Sequence, residues 1–202
     1  MRLKRISFIE AGAPGAHIFS KFPIPRLGTI LLATMLRDRG YEARVFVEDV
    51  ANIDWSVVEQ SDLVGISTIT STAPRAYALA EKIRSLGIPV VMGGPHVTFM
   101  AEEALEKADF VVRGEGEKSF LELIAHLEKG QPSLFSIKGL SYREKGMNKV
   151  HNPPAEFIQD LDRLPAPNFS LVHKWKPSNI YPISTSRGCP YGCKFCSVIQ
   201  MF

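Results

Sequence analysis

Residues 63–67 read Leu-Val-Gly-Ile-Ser, and residues 68–74 continue as Thr-Ile-Thr-Ser-Thr-Ala-Pro. The first stretch is a short, continuous apolar run, which is typical of a strand buried on both faces of a parallel sheet. The second stretch ends in a proline, a residue that is favoured in the first turn of a helix. A buried strand, a loop and a helix in this order predict one β/α unit.

The same order of strand and helix repeats on both sides of this unit. The sequence predicts strands at Arg5–Ala11, Ala43–Glu48, Leu63–Ser67, Pro89–Met92 and Phe110–Val112. It predicts helices at Gly28–Arg39, Trp55–Gln60, Pro74–Leu86, Ala101–Lys107 and Glu117–Lys129. Five β/α units with short connections predict an α/β fold with a doubly wound, five-stranded parallel sheet of the Rossmann-like or flavodoxin-like type.

The loops at one edge of this sheet are the candidate ligand-binding elements. Ligands of such sheets bind outside the carboxyl ends of the strands, at the topological switch point. For the strand order 2-1-3-4-5, the loops after the first, third and fourth strands meet there. The first of these, Gly12–Pro25, is unusually long, and long loops in compact domains are often functional.

The other two loops carry hydroxyl groups and a pair of glycines. Five of the six residues from 67 to 72 are serine or threonine, and Gly93-Gly94 lets a ligand approach the backbone closely. The candidate binding residues are Ser67, Thr68, Thr70, Gly93 and Gly94. A crevice of this kind suits a large planar ligand with amide-bearing edges, although ordinary turns and helix caps use the same residue types.

The three cysteines of the chain, Cys189, Cys193 and Cys196, stand close together in the run Arg-Gly-Cys-Pro-Tyr-Gly-Cys-Lys-Phe-Cys. Their C-x3-C-x2-C spacing allows three thiolates to converge on one metal centre and leaves one coordination site open. A [4Fe–4S] cluster normally takes a ligand on each iron, so three cysteines leave one iron free for a small molecule.

Two other uses of these cysteines are less favoured by the sequence. Structural zinc usually takes four ligands, and neither His151 nor His173 has a ligand-like spacing to the cysteines. A disulfide framework is disfavoured because the number of cysteines is odd and all of them lie at one end of the chain.

The cysteine run resembles the signature of the radical S-adenosylmethionine (SAM) superfamily, in which an aromatic residue, here Phe195, precedes the last cysteine. The resemblance implies that the cluster chelates SAM and that an external electron donor supplies the electron that cleaves it to a 5′-deoxyadenosyl radical. It implies that Phe195 packs against the adenine. It also implies that residues 181–186 form the first strand of a partial (β/α) barrel. Since only residues 197–202 follow, we expect a fragment of a longer enzyme or a truncated gene product.

The chain as a whole resembles the N-terminal part of cobalamin (B12)-binding-domain radical SAM proteins. The matching stretches are residues 67–75, 91–96, 112–117 and 160–167, followed by the cysteine run. The resemblance implies that the hydroxyl loop and the Gly-Gly step lie against the corrin ring and its nucleotide tail. It further implies methyl transfer to an unactivated carbon of a small-molecule substrate, although relatives also catalyse rearrangements and cyclisations.

The sequence departs from many cobalamin proteins in one respect, because it lacks the motif D-x-H-x-x-G after the first strand. His17 lies in that loop without the other motif residues. Asp49 does not begin the motif either, because the residue two positions after it is Ala51 and not histidine. His96 is the remaining histidine near the crevice, and a surface histidine without a ligand role is its simpler interpretation. The domain therefore either binds cobalamin without a histidine ligand or no longer binds it.

The run Arg113-Gly-Glu-Gly-Glu follows the fifth predicted strand. It lacks the third glycine of a dinucleotide fingerprint. Glu115 and Glu117 stand at a helix start, where negative charge is favourable. Helix capping explains them adequately, and a contact with the cofactor or the barrel is the alternative.

Composition and charge exclude several classes of protein. The net charge of +3 is small and scattered, which argues against a nucleic-acid partner. No apolar stretch reaches the length of a membrane span, so we expect no membrane association. Free thiols and an iron–sulfur cluster suit a reducing compartment, so the cytoplasm is the expected location.

The sequence divides into three parts. Residues 1–130 are the predicted B12-binding-like domain, residues 131–180 a linker with a hairpin-like pattern at 137–150, and residues 181–202 the start of a radical SAM domain. Two alternatives remain open from the residues alone. One is a non-catalytic cobalamin-binding module, and the other is a Rossmann-like nucleotide-binding domain with a zinc site.

Overall fold

The computed structural model describes residues 3–13, 15, 24–144, 148–176 and 181–201. Within these residues, seven strands form one sheet: β1 Arg5–Glu10, β2 Glu42–Val47, β3 Leu63–Ser67, β4 Val90–Gly93, β5 Phe110–Val112, β6 Leu140–Arg143 and β7 Lys149–His151. The helices of the described part are α1 Leu27–Arg37, α2 Trp55–Val58, α3 Ala73–Ser85, α4 Pro95–Phe99, α5 Ala101–Ala104 and α6 Glu117–Lys129.

The sheet has the order β2-β1-β3-β4-β5-β6-β7. Strands β1 to β5 run parallel, which confirms the predicted α/β class and the order 2-1-3-4-5. The sheet is larger than the predicted five strands, because β6 pairs antiparallel with β5, and β7 with β6. The hairpin-like pattern in the predicted linker is therefore a continuation of the sheet.

The hydrophobic core lies on both faces of the sheet. On one face, Phe8 of β1 packs with Phe120 of α6 at 5.5 Å between ring centroids, beside apolar residues of α1. On the other face, the neighbouring residue Ile9 packs with residues of α3. Successive strand residues point to opposite faces, so a strand covered on both sides must be apolar throughout. This is the reason why the short apolar runs of the sequence identify the strands.

The outer edge of β2 is covered by the segment that follows the hairpin. The His173 N–H donates to the Val45 carbonyl at 2.8 Å, and Val172 and Val45 form an isolated parallel bridge. The Asn168 N–H donates to the Thr34 hydroxyl of α1 at 2.9 Å. Covering the edge in this way removes unpaired backbone groups that would otherwise pair with another chain.

None of the helices in the described residues is long and apolar enough to cross a membrane.

Candidate functional site

A cavity of about 710 Å³ lies at the carboxyl ends of the parallel strands. Three groups of residues line it. They are the ends of β3, β4 and β5 with their loops, the first turns of α1 and α6, and the residues on both sides of the cysteine run. The cavity therefore lies at the edge where the strand order predicts a ligand.

The floor of the cavity includes two glycines of the sheet. A Cβ atom at Gly65 would lie 2.7 Å from Cδ1 of Phe8, so glycine at this position lets the Phe8 ring lie flat against β3. A Cβ atom at Gly93 would meet only the Val112 carbonyl, at 3.7 Å. The absence of a side chain at Gly93 thus leaves space that the cavity uses.

Gly94 joins the loops after β3 and β4. Its φ of +100° and ψ of 175° belong to a region of backbone conformation that is essentially restricted to glycine. A Cβ atom here would lie 2.7 Å from the Thr68 carbonyl oxygen and 3.2 Å from the Ser67 hydroxyl. The two loops can approach this closely only because residue 94 has no side chain.

The structure separates the five candidate binding residues into two groups. Ser67, Gly93 and Gly94 line the cavity. Thr68 is fully buried, and its hydroxyl lies 2.9 Å from the Thr72 hydroxyl, so it stabilises its own loop. Thr70 is exposed outside the cavity lining, with its hydroxyl 3.4 Å from Nδ1 of His96. A role for Thr68 and Thr70 in binding stays a prediction from the sequence.

His96 belongs to a polar cluster on α3, α4 and α5 and does not line the cavity. Its Nε2 lies 3.1 Å from the Tyr77 hydroxyl and 4.0 Å from a carboxylate oxygen of Glu103. Burial and then the nearby Glu103 raise the pKa of Tyr77, so the phenol stays neutral. His17, the other histidine considered from the sequence, lies outside the described residues.

A buried carboxylate that the sequence reading missed lies beside the cavity. Glu10, at the end of β1, is 3% exposed and accepts hydrogen bonds from the Arg26 N–H at 2.9 Å and from the Thr29 hydroxyl. Burial raises its pKa. The Arg26 guanidinium donates to the carbonyls of Ser67 at 3.1 Å and Ala11 at 3.4 Å. The sequence does carry a signal for Glu10, because it is a charged residue at the end of an otherwise apolar strand.

The cysteine run forms a loop whose two flanks lie on the cavity. Residues 182, 184, 186–188, 197, 198 and 201 line the cavity, and Met201 is buried. Cys189 and Cys193 are exposed, Cys196 is half-buried, and Phe195 is 93% exposed. The loop is therefore held at its flanks and open to solvent at its tip.

The thiols themselves are not gathered into one ligand set. Across the described residues, no group of three His, Cys, Asp or Glu side chains is arranged to hold a metal ion. Residues 181–186, predicted as a first barrel strand, have no strand partner in the described part of the chain. A strand needs a neighbour for its backbone hydrogen bonds, and without one these residues remain extended and irregular.

Arg187 connects the cysteine loop to the run Arg113-Gly-Glu-Gly-Glu. Its two terminal nitrogens donate to Glu115 at 2.7 Å and to Glu117 at 2.5 Å. Burial lowers the pKa of Arg187, but the hydrogen bonds to the two carboxylates raise it more, so the net shift is upward. Glu115 and Glu117 thus bind the cysteine loop, whereas no described side chain caps α6 by a hydrogen bond, so the helix capping that the sequence suggests does not account for them.

The residues around the cavity fit a cobalamin. The cavity combines apolar walls, a hydroxyl at Ser67 and two glycines that expose the backbone, and most of its lining is apolar. Ligand sites of this kind use apolar surface for affinity and a few polar groups for orientation. The cysteine loop fits an iron–sulfur cluster in its chemistry, because three accessible thiols are the soft donors that iron–sulfur clusters take.

Comparison with known proteins identifies relatives that are named as methyltransferases or as a cyclase. An uncharacterised methyltransferase of Pyrococcus horikoshii is 40% identical, over 88% of this chain and 41% of that protein. The anaerobic magnesium-protoporphyrin IX monomethyl ester cyclase of Rubrivivax gelatinosus is 30% identical, over 96% of this chain and 38% of that protein. The cobalamin-dependent radical SAM methyltransferase TokK of Streptomyces tokunonensis is 30% identical, over 69% of this chain and 22% of that protein. The chain thus spans about two fifths of the first two relatives.

A similar fold occurs in the cobalamin-dependent S-adenosylmethionine radical enzyme OxsB, solved with aqua-cobalamin and S-adenosylmethionine bound. The TM-score is 0.64 at 21% identity, over 82% of this chain and 24% of that one. The family model of the B12 binding domain matches residues 19–124, which is just over half of the chain. With its parallel sheet and the cavity at the carboxyl edge, this chain belongs to the B12-binding domain family.

Proposed function

We propose that this chain is the cobalamin-binding part of a cobalamin-dependent radical SAM enzyme and that it also carries the ligands of the [4Fe–4S] cluster. The observation that supports this most strongly is that both flanks of the cysteine run line the same cavity as Gly93 and Gly94. A corrinoid bound in that cavity would lie beneath the cysteine loop. The two cofactors that the chemistry requires would then be neighbours.

Each part of the site has a separate task in this proposal. Cys189, Cys193 and Cys196 would hold the cluster, and Phe195, exposed next to the last cysteine, would contact the adenine of SAM. When bound, the cluster with SAM supplies one-electron radical chemistry, and cobalamin supplies a transferable methyl group. Gly93 and Gly94 let the ligand reach the strand ends, and Ser67 offers a hydroxyl for hydrogen bonding.

Methyl transfer is the preferred reaction because two of the relatives are methyltransferases by name. Another relative is a cyclase, so the same kind of domain also serves other reactions. The substrate is proposed to be a small molecule, the electron is proposed to come from an external donor, and the location is proposed to be the cytoplasm.

The test is a titration of the anaerobically purified chain with hydroxocobalamin, followed by gel filtration and absorbance spectroscopy. We expect the corrinoid to elute with the protein. With its nucleotide tail held along the loop after β3, as the resemblance implies, and with no histidine among the described residues that line the cavity, the bound corrinoid should show the spectrum of a cobalt without a lower nitrogen ligand. Loss of the corrinoid on the column would contradict binding in this cavity.

Two variants make the titration specific to the cavity. Gly93→Leu should abolish retention of the corrinoid while preserving the fold, because a Cβ atom at residue 93 meets only the Val112 carbonyl, at 3.7 Å, and the larger side chain would take space in the cavity that residue 93 lines. Ser85→Leu is the control, since Ser85 is exposed at the end of α3 and lies outside the cavity lining, and it should bind as the parent does. Corrinoid retention without iron after cluster reconstitution would favour a non-catalytic cobalamin-binding module instead.

A further inference from the structure

We infer that Arg187, Glu115 and Glu117 form a joint that fixes the cysteine loop over the cavity, and that Arg187 is a positioning residue for that loop. The purpose of the joint rests on the proposed function, since the loop would carry the cluster and the cavity the corrinoid. The joint itself is a property of the protein without cofactors. It can therefore be tested separately from cofactor binding.

The joint consists of two ion pairs that are more buried than the other ion pairs of the described residues. The side chains of Glu115 and Glu117 are 4% and 8% exposed, and that of Arg187 is 21% exposed. Carboxylates leave water at a high cost in free energy unless a charged partner compensates them. Arg187 is the partner that the described residues provide, so docking of the cysteine loop is what makes burial of the two carboxylates favourable.

The geometry of the joint requires arginine. Two terminal nitrogens of one guanidinium reach two different carboxylates, one on each side of Gly116. A lysine has a single charged nitrogen on a flexible chain and lacks this planar fork. Glu115 also accepts a hydrogen bond from the Ile158 N–H at 2.5 Å through its other oxygen. The turn between β5 and α6, the linker and the cysteine loop therefore meet at one point.

The position of the joint along the chain explains what it controls. Arg187 stands two residues before Cys189, so it holds the first flank of the loop. At the second flank Met201 is buried, and its carbonyl oxygen would lie 3.9 Å from a Cβ atom at Gly114 of the same turn, so the two backbones pack side by side. Both flanks are thus tied to the turn after β5, next to the Gly-Gly step at the end of β4. The distance between the cysteines and the cavity floor is set by these two contacts.

The experiment measures the position of the loop tip with two spin labels in the full chain. One label is attached to Cys193 and the other to Ser85→Cys, an exposed position at the end of α3. Cys189→Ser and Cys196→Ser remove the other thiols, so no cluster forms. Pulsed electron–electron double resonance then gives the distribution of distances between the labels.

We expect one narrow distance in this parent and loss of the narrow peak in Arg187→Met. Arg187→Lys should broaden the distribution partly, because one nitrogen cannot serve both carboxylates. Arg163→Met is the matched control, since the Arg163 side chain is 86% exposed and its one ion pair within the described residues is with the nearby Asp160. The control should keep the parent distribution.

An unchanged narrow distance in Arg187→Met would overturn the inference. If that variant does not fold, as judged by its circular dichroism and thermal melting, Glu117→Gln takes its place because it removes only one of the two ion pairs. The peak should then broaden, and an unchanged peak would again overturn the inference. A chain that shows the joint but retains no hydroxocobalamin would contradict the proposed function and leave the joint intact.

Discussion

Gly94→Ala gives the sharpest test of the loop junction that shapes the cavity. Residue 94 has φ +100° and ψ 175°, a conformation that costs a non-glycine residue about 1–3 kcal/mol. The new Cβ would lie 2.7 Å from the Thr68 carbonyl oxygen and 3.1 Å from the Thr68 nitrogen. The backbone shift that removes this clash typically costs a further ~1–3 kcal/mol in the free energy of unfolding. The free energy of unfolding should therefore fall by about 2–6 kcal/mol as the sum of these two costs.

Gly87→Ala is the matched control for backbone strain. Gly87 also has a positive φ, of +79°, but a Cβ atom there meets nothing within 4 Å. Its substitution should cost only the left-handed conformation, about 1–2 kcal/mol. The difference between the two variants then measures the close contact between the loops together with any additional backbone strain at residue 94.

Urea unfolding followed by circular dichroism measures both free energies, and equal slopes against urea concentration would show that the variants unfold in the same way. A loss in Gly94→Ala no larger than that in Gly87→Ala would refute the close approach of residue 94 to Thr68. In that case the shape of the cavity would not depend on the Gly-Gly step.

Three further predictions concern the cavity floor, the buried carboxylate and the cysteines. Gly65→Ala should displace the Phe8 ring, which lies 2.7 Å from the new Cβ, so the free energy of unfolding should fall by about 1–3 kcal/mol and hydroxocobalamin retention should weaken. Glu10→Gln should gain stability relative to the parent as the pH rises from about 4.5, because burial raises the pKa of Glu10 in the folded state and its ionisation then destabilises the parent. Cys193→Ala should lose the iron of the reconstituted cluster, measured by metal analysis, and keep the thermal melting of the parent, because the thiol is exposed.

Each of these predictions has an outcome that contradicts it. Unchanged stability of Gly65→Ala would mean that Phe8 does not lie on β3. A difference between Glu10→Gln and the parent that is constant over pH would mean that the pKa of Glu10 is equal in the folded and unfolded states. Iron content that survives Cys193→Ala would refute the assignment of the cluster ligands, and Cys196→Ala would then be the next variant to measure.

The sheet shows which features of the fold local sequence patterns predict. Leu63–Ser67 and Phe110–Val112 have the bounds that the sequence predicts, since a strand covered on both faces must be apolar at every position. The sequence also indicates a hairpin at 137–150, but it does not predict that β6 and β7 extend the sheet beyond β5. Ser141 pairs with Val111, 30 positions away in the sequence. Local sequence patterns do not determine which edge of a sheet a hairpin pairs with, because that pairing is between distant residues.

Some of the functional residues are likewise predicted by local sequence, and others are brought together only by folding. Local sequence is enough to predict the glycine step at Gly93 and Gly94 and the spacing of the three cysteines, because backbone freedom and ligand spacing are properties of neighbouring residues. Only the folded structure shows that Ser67, at the end of β3, lines the cavity while Thr68 and Thr70 do not, since that depends on how the chain turns after the strand. Folding also brings Arg187 to Glu115 and Glu117, which lie 72 and 70 residues away in the sequence. A pairing of buried charges depends on which segments pack together, and only the folded chain fixes that.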